Sequence, residues 1–285
     1  MEKNRKMLEE ASFGKLLLNL CLPTILIMLV MVVYNMADTF FIGQTGDPVK
    51  IAAISLCAPL FSILSGLGTL LGSGGCTAVS LALGKQENSR IKAYTSLCCY
   101  GSLVIGFLFL TFVLIFLTPI SLALGADSAT LSHTCGYLRI IALGAPVILF
   151  NNVFANIIRA DGAAKESMIA NGLGTLSNIA LDALFILVFS WDVAGAALAT
   201  VLGNAISCCY LLFYILKKQP AFSLHLRYFS LKKEILLPVL SLGLPLACST
   251  LLMSISSMIS NRMMIGYGAA ALAAQGVAGK IGMLL

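Results

Sequence analysis

The chain has 285 residues, of which 59% are apolar and 11% charged, with a net charge of +6 and a mean hydropathy of +0.97. Since a soluble domain carries about 25% charged residues, this composition excludes a soluble globular protein and a disordered one. Apolar runs long enough to cross a bilayer recur along the chain and indicate a polytopic, all-α membrane protein.

The first predicted span follows a basic tail. Lys3, Arg5, Lys6 and Lys15 precede an apolar run that extends to about Gly43. This run is too long for the core of a cleaved signal peptide, so it predicts an uncleaved helix over 16–43. Seven further spans are predicted over 51–83, 93–118, 132–158, 166–189, 193–216, 235–264 and from 269 to the end.

An internal repeat groups these spans. At an offset of 222 residues the Leu-x-Leu-x-Leu-Pro entry that ends at Pro23 falls on the one that ends at Pro245. Six spans separate the two copies, so both run in the same direction through the membrane. The predicted domains are a cytoplasmic tail (1–15), a six-helix lobe (16–218), a cytoplasmic inter-lobe loop (219–234) and the first two helices of a second lobe (235–285). A complete second lobe would be longer, so we expect a fragment or a truncated product.

The basic residues are unevenly distributed between the two sides of the membrane that these spans predict. The side that holds the N-terminus collects 14 of the 18 Lys and Arg residues, and the opposite side holds two. This asymmetry predicts a multi-pass protein of the cell membrane with a cytoplasmic N-terminus. The basic residues are spread over short connections, so we expect no nucleic-acid partner.

Two carboxylates lie well inside predicted spans, where an ionisable group is expensive. Asp38 follows Asn35 by three residues, and Asp182 follows Asn178 by four and Thr175 by seven, so each carboxylate shares a helix face with polar neighbours. One interpretation is hydrogen bonding between helices. We favour reversible protonation or binding of a hard cation such as sodium.

Other sequence features are less specific. Pro23 predicts a helix kink that could couple bending to Asp38, although a static kink fits equally well. Gly68 and Gly72 predict close helix packing. Nine cysteines inside apolar runs are typical of small packing residues, not of disulfides or zinc ligands. His133 and His225 are far apart and no enzyme motif is present, so we expect neither an enzyme nor a resident metal or cofactor.

Four segments together resemble the multidrug and toxic compound extrusion (MATE) transporters over essentially the whole chain. They are the first span with Pro23 and the run 38–43, the loop 156–162, the Asn178-x-x-x-Asp182 pair and the run 195–200. The resemblance implies twelve-helix antiporters of two six-helix lobes, which export organic, often cationic, compounds in exchange for protons or sodium ions. This chain would supply one lobe and two helices of the next.

The resemblance also implies a cation site in the first lobe. Its members would be Asp38, Asn178, Asp182 and Thr200, with Asn156 as the candidate from the fourth span and Asn152 as its rival. Pro23 would be the bending point, and Asn35, Asn152 and Thr175 would line the cavity. At the repeat offset Asp38 falls on Ser260, and no carboxylate follows Glu234, so coupling would be centred on the first lobe.

The sequence therefore predicts a secondary active antiporter with an organic small-molecule substrate, a coupling cation and the lipid bilayer as partners, monomeric at full length. Two alternatives stay open. A lipid-linked glycan flippase would need several basic cavity residues, and Arg139 is the one Lys or Arg clearly inside a span of the first lobe. A non-transporting scaffold or receptor would use the polar residues only to hold helices together.

Overall fold

A computed structural model describes residues 25, 40, 41, 43, 47–218 and 222–282. The predicted first span lies outside the described residues except for four isolated positions, and so do Pro23, Asn35 and Asp38. In the described ranges every regular element is helical, which confirms the all-α prediction.

Eight α-helices and three short helical turns follow one another along the described chain. The α-helices are α1 (Pro48–Gly84), α2 (Asn88–Ile115), α3 (Leu117–Ala123), α4 (Leu131–Ile157), α5 (Ala164–Asp182), α6 (Asp192–Lys218), α7 (Lys233–Ile265) and α8 (Ala269–Gly282). A 3-10 turn over Ile158–Asp161 extends α4, a π-helical turn over Ala183–Val188 extends α5, and a second 3-10 turn spans Leu226–Tyr228.

Six of these helices are long and apolar enough to cross a membrane. They are α1, α2, α4, α5 with its π-turn, α6 and α7, and each lies within a few residues of a predicted span. Helix α8 carries a shorter apolar stretch, Ala270–Gly279.

The described structure differs from the prediction after the third span. Helix α2 ends at Ile115, and the short α3 begins at Leu117 after a break at Phe116. Pro119 accounts for this break, because in a continuous helix its ring would collide with the carbonyl four residues earlier, at Ile115.

The fifth predicted span is also not uniformly α-helical. Regular α-helix ends at Asp182, and the next six residues form the wider π-turn. The ring of Phe185 stacks on those of Phe189 and Trp191 there, and the three ring centroids lie 5.3–6.2 Å apart. Wide turns of this kind often accompany functional sites, and this one directly follows a buried carboxylate.

Burial divides the helices into a core and a periphery. In the most apolar stretch of α4, 72% of the residues are buried, against 22% for α7. Helix α4 packs against α1, α2 and α6, and α1 also packs along α7. The described helices α1, α2, α4 and α6 therefore form a well-packed centre, and α7 contacts α1 at its edge.

Two glycines set the crossing of α1 and α7. A Cβ atom on Gly74 would overlap the carbonyl oxygen of Val239, and one on Gly243 would overlap that of Leu70. The two backbones thus touch directly, and only glycine fits at either position.

Eight of the nine cysteines lie in the described part of the chain, and all eight are free thiols. Cys209 on α6 and Cys248 on α7 are exposed, and the others are buried or half-buried. The side chains of Cys57, Cys98, Cys99 and Cys208 are buried among apolar neighbours, as the sequence predicts.

Candidate functional site

A cavity of about 500 Å³ lies between α1, α4, α5 and α6. Phe61 and Ser65 of α1 form one wall, and residues 168–178 of α5 form another. The described lining carries no charged side chain. Its polar members are amides and hydroxyls: Ser65, Asn151, Asn152, Asn171, Thr175, Asn178, Thr200, Asn204 and Ser207. A cavity of this size could hold a small organic molecule.

Helix α5 directs a stripe of polar side chains toward this cavity. Asn171, Thr175 and Asn178 follow one another at helical spacing, and all three line it. The Asn171 Nδ2 atom donates to the carbonyl of Ser167 at 2.9 Å. The amide of Asn178 has no such partner among the described residues, although its side chain is only 3% exposed.

An unsatisfied buried amide costs about 1–3 kcal/mol, so its position calls for an explanation. The Oδ1 and Nδ2 atoms of Asn178 supply one acceptor and two donors at the cavity wall. A bound ligand could satisfy them, and so could a residue outside the described ranges.

Two further glycines hold α5 close to α6 at this point. A Cβ atom on Gly203 would lie 2.7 Å from the carbonyl oxygen of Gly174 and 2.8 Å from the Cβ of Asn178. A Cβ atom on Gly174 would lie 2.9 Å from the carbonyl oxygen of Gly203. Larger residues would separate the helices and displace Asn178.

A hydrogen-bonded chain crosses the opposite wall from α6 to α4 and back. The Ser207 hydroxyl donates to Asn151 Oδ1 at 2.7 Å, and Asn151 Nδ2 donates to Asn204 Oδ1 at 3.0 Å. Asn204 Nδ2 then donates to the backbone carbonyl of Thr200 at 2.8 Å. The Thr200 hydroxyl donates to the carbonyl of Ala196 at 3.0 Å. This chain fixes the backbone around Thr200.

Asp182 lies one helical turn beyond Asn178 and is completely buried. It is the last α-helical residue of α5, so the π-turn begins immediately after it. Asp182 is not part of the described cavity lining, but it follows the Asn178 face of the helix at a spacing of four residues. The structure thus places Asn178 in the cavity wall and Asp182 in the packed region next to it.

The structure separates the two asparagines proposed for the fourth span. Asn152 lines the cavity. Asn156 does not, and its Nδ2 atom donates to the Asn152 carbonyl at 2.8 Å. The Asn156 amide faces α1, because a Cβ atom on Gly72 would lie 3.1 Å from its Nδ2 atom. Asn152 also packs against α1, since a Cβ atom on Gly68 would lie 3.0 Å from the Cβ of Asn152. A role for Asn156 in cation binding stays a prediction.

Four of the predicted site residues therefore meet at one cavity: Asn152, Thr175, Asn178 and Thr200. Several other lining residues were not predicted, and of these Asn151, Asn171, Asn204 and Ser207 have side-chain hydrogen bonds within the wall. Helical spacing could have found three of them, because Asn171 extends the Thr175–Asn178 stripe by four residues, and Asn204 and Ser207 repeat that spacing after Thr200 on α6. Asn151 has no such signal, because its hydrogen bonds cross from α4 to α6.

Known proteins with the same features are membrane exporters. The MatE family profile matches residues 23–184. The multidrug export protein MepA of Staphylococcus saprophyticus subsp. saprophyticus is 33% identical over 269 residues, which cover 94% of this chain and 60% of that protein. The chain thus spans about 60% of the length of this curated relative.

Solved structures agree with this similarity. The MATE multidrug transporter DinF-BH in complex with rhodamine 6G superimposes with a TM-score of 0.89 at 28% identity, over 95% of this chain and 61% of that one. An outward-facing multidrug resistance MATE family transporter of the MOP superfamily gives 0.83 at 30% identity, over 94% and 60% of the respective chains.

Proposed function

We propose, since this chain belongs to the MATE family of multidrug transporters, that it is a secondary active antiporter. It would export organic, often cationic, compounds in exchange for protons or sodium ions. The observation that carries the proposal is the buried amide of Asn178, which no described residue bonds, in the wall of a mainly apolar cavity whose described lining is uncharged, one turn from the buried Asp182.

The cavity suits an organic substrate. Its wall combines apolar surfaces such as Phe61 and Met168 with amide groups that can donate or accept hydrogen bonds. Positively charged walls would repel an organic cation, and none of the described lining residues is basic. Asn171, Asn178 and Asn204 would orient the polar groups of the bound molecule.

The coupling cation would bind beside the substrate cavity. A carboxylate at Asp182, an amide oxygen at Asn178 and a hydroxyl at Thr200 are hard oxygen donors, which suit either a sodium ion or a proton on the carboxylate. Asp38 of the first predicted span would complete this set of oxygen donors, and that span would bend at Pro23. Cation binding would shift the balance between outward-open and inward-open states, because the two states would bind it with different affinities.

The alternative functions fit the described site less well. A lipid-linked glycan flippase needs basic groups for a pyrophosphate, and the described cavity lining offers none. A scaffold or receptor has no need for an unsatisfied buried amide, which lowers stability without holding helices together.

The proposal has a defined setting in the cell. The protein would lie in the cell membrane as a multi-pass protein with a cytoplasmic N-terminus, and it would act as a monomer in its full-length form, without an enzymatic activity. Residues 16–218 would form the first lobe, 219–234 the cytoplasmic inter-lobe loop, and 235–285 the start of the second lobe.

Flux measurements in proteoliposomes test this function. Vesicles that contain the full-length protein, with a complete second lobe, are loaded with rhodamine 6G, the ligand of the DinF-BH complex, and sodium and proton gradients are imposed separately. We expect dye movement driven by at least one gradient, a loss of at least about tenfold with Asp182→Asn, and unchanged flux with the control Asp127→Asn outside the spans. A full-length protein without gradient-driven flux, or with full flux after Asp182→Asn, would contradict the proposal.

A further inference from the structure

The connection between α6 and α7 is held firmly against the first lobe. We call its described part, residues 222–232, the strap. The Thr95 hydroxyl of α2 both donates to the Ser223 carbonyl at 3.2 Å and accepts from the Ser223 N–H at 3.1 Å. Two more α2 side chains, Ser96 and Tyr100, donate to the carbonyls of His225 and Leu224 at 3.0 and 2.9 Å.

Ring contacts extend this attachment. Tyr100 packs edge to face on Phe229 with centroids 5.7 Å apart, and the Lys92 Nζ atom lies 5.3 Å from the centroid of the Tyr228 ring. Phe222, the first residue of the strap, is buried. The strap therefore keeps one face on α2 and turns the other outward.

The position of the strap along α2 places it at the membrane boundary. Helix α2 has 28 residues, so it is about 42 Å long, whereas the hydrocarbon core is about 30 Å thick. Thr95 and Tyr100 lie about 10 and 18 Å from the start of α2. With α2 centred in the bilayer, the hydrocarbon boundary would lie about 6 Å from the start of the helix. Lys92 is at that level and its Nζ atom contacts the Tyr228 ring, so the strap would run beside α2 near the level where headgroups meet hydrocarbon.

The outward face of the strap combines apolar and basic side chains. Leu226 and Leu231 are 64% and 63% exposed, and Arg227 and Lys232 are exposed beside them. Lys233 adds a further exposed cation at the start of α7, and Glu234 is the one carboxylate in 222–234. Exposed leucines in water are unfavourable, but at this level they would contact acyl chains while the cations reach the headgroups.

We propose that the outward face of the strap binds anionic phospholipids. Leu226 and Leu231 would insert between acyl chains, and Arg227, Lys232 and Lys233 would pair with lipid phosphates and other negative headgroup groups. Tyr228, whose ring contacts Lys92, would lie at the headgroup level as interfacial aromatic residues do. Each basic residue near an anionic membrane surface strengthens the attraction about fivefold. The binding depends on neither substrate nor coupling cation, so it stands or falls separately from transport.

A tryptophan reporter tests the proposal. The chain has a single tryptophan, Trp191, so Trp191→Phe with Tyr228→Trp places the only tryptophan on the strap. The protein is reconstituted into phosphatidylcholine vesicles that contain brominated phosphatidylglycerol or, at equal mole fraction, brominated phosphatidylcholine. We expect stronger quenching by the anionic lipid, which corresponds to a local enrichment of at least about fivefold, the contribution of a single basic residue.

Matched charge variants identify the residues responsible. Arg227→Gln, Lys232→Gln and Lys233→Gln together should abolish the preference for the anionic lipid. Lys85→Gln, Arg90→Gln and Lys165→Gln remove the same charge elsewhere on the predicted cytoplasmic side and should preserve it. Equal quenching by both lipids in the reporter protein, or equal loss in both triple variants, would overturn the proposal.

Salt gives a test that needs no charge variant. Raising the ionic strength from 0.1 to 1 M shortens the screening length from about 10 to about 3 Å. The preference for the anionic lipid should fall accordingly, and a preference that is independent of salt would contradict binding through Arg227, Lys232 and Lys233.

Discussion

Asn178 is buried, yet no described residue bonds its amide. We predict that Asn178→Leu leaves the thermal unfolding midpoint in detergent unchanged or raises it, because leucine removes an unsatisfied polar group of similar size. The same variant should lose at least about tenfold in gradient-driven dye flux in proteoliposomes, since the donor and acceptor at the cavity wall are gone.

Asn261→Leu is the matched control for stability. The Asn261 amide is also buried, but its Nδ2 atom donates to the Ser55 carbonyl at 3.0 Å and so links α7 to α1. Losing this bond should cost about 1 kcal/mol. If Asn178→Leu lowered stability as much as Asn261→Leu does, Asn178 would be a structural residue.

Asp127 illustrates a charge whose role is local. Its Oδ1 atom accepts the Thr130 hydroxyl at 2.8 Å, the Thr130 N–H at 2.9 Å and the Ala129 N–H at 3.2 Å, just before α4. The hydrogen bonds from Thr130, first from its hydroxyl and then from its backbone, lower the pKa of the Asp127 carboxyl.

A lowered pKa in the folded state means that the ionised carboxylate stabilises the fold. This contribution is fully present above the unfolded value of about 3.9 and is lost as the pH falls through the lower folded value. Because Asp127 is exposed and solvent screens its charge, Asp127→Ala should cost no more than about 0.5 kcal/mol at pH 7. Thermal unfolding of both proteins across pH 2–7 should show the difference shrinking in acid, whereas a constant difference would exclude the charge as its cause.

At the scale of helices, the α1–α7 crossing makes a sharp prediction. Gly74→Ala should lower the thermal unfolding midpoint and separate the two helices, because its methyl group would overlap the Val239 carbonyl. Gly136→Ala is the control, since a Cβ atom there meets nothing within 4 Å. That change should be neutral or stabilising by up to about 1 kcal/mol, because alanine favours a helix more than glycine does.

Disulfide trapping reports the separation directly. A cysteine pair at Gly66 and Thr250 should cross-link readily in the parent chain and less in the Gly74→Ala variant, because a Cβ atom on Gly66 would lie 3.5 Å from the Cβ of Thr250 on α7. Equal cross-linking and equal stability in both would show that the crossing tolerates a side chain.

Spans were predictable because each is a long apolar run bounded by polar or glycine-containing connections. The break at Phe116 was not, because the apolar run continues through it and Pro119 lies just past the predicted end. The π-turn after Asp182 has no local signal either, since Ala183–Val188 is as apolar as an ordinary helix. Likewise, the strap bonds join residues 124–129 positions apart, which no local periodicity reveals.

The candidate site was predictable to the extent that its residues repeat at helical spacing. Thr175 and Asn178 share a helix stripe, and both line the cavity. The resemblance added Thr200. Asn151 and Asn204 depend on a contact between α4 and α6, so their pairing appears only once the helices are packed.

At the scale of the whole molecule, an ion pair between described residues joins two helices that are distant in sequence. The Lys50 Nζ atom lies 2.6 Å from an Asp192 carboxylate oxygen, which ties the start of α1 to the start of α6. Both groups are only partly exposed, so solvent screens them less than it screens a surface pair.

A double-mutant cycle with Lys50→Gln and Asp192→Asn measures this link. Asparagine suits position 192, where φ is +48°. We expect a coupling energy of about 1 kcal/mol from thermal unfolding in detergent, against about 0.3 kcal/mol for the more exposed Glu87–Arg90 pair within one helix turn. Equal values for the two pairs would show that Lys50 and Asp192 do not hold α1 to α6.

The two exposed thiols allow a distance measurement by spin labelling at native positions. Cys209 on α6 and Cys248 on α7 are exposed, whereas Cys57, Cys98, Cys99 and Cys208 are buried. With Cys21, Cys76 and Cys135 replaced by alanine, a bulky spin label should react with the two exposed sulfurs alone. The distance between the two labels would then follow the motion of one lobe relative to the other, without any cysteine being introduced.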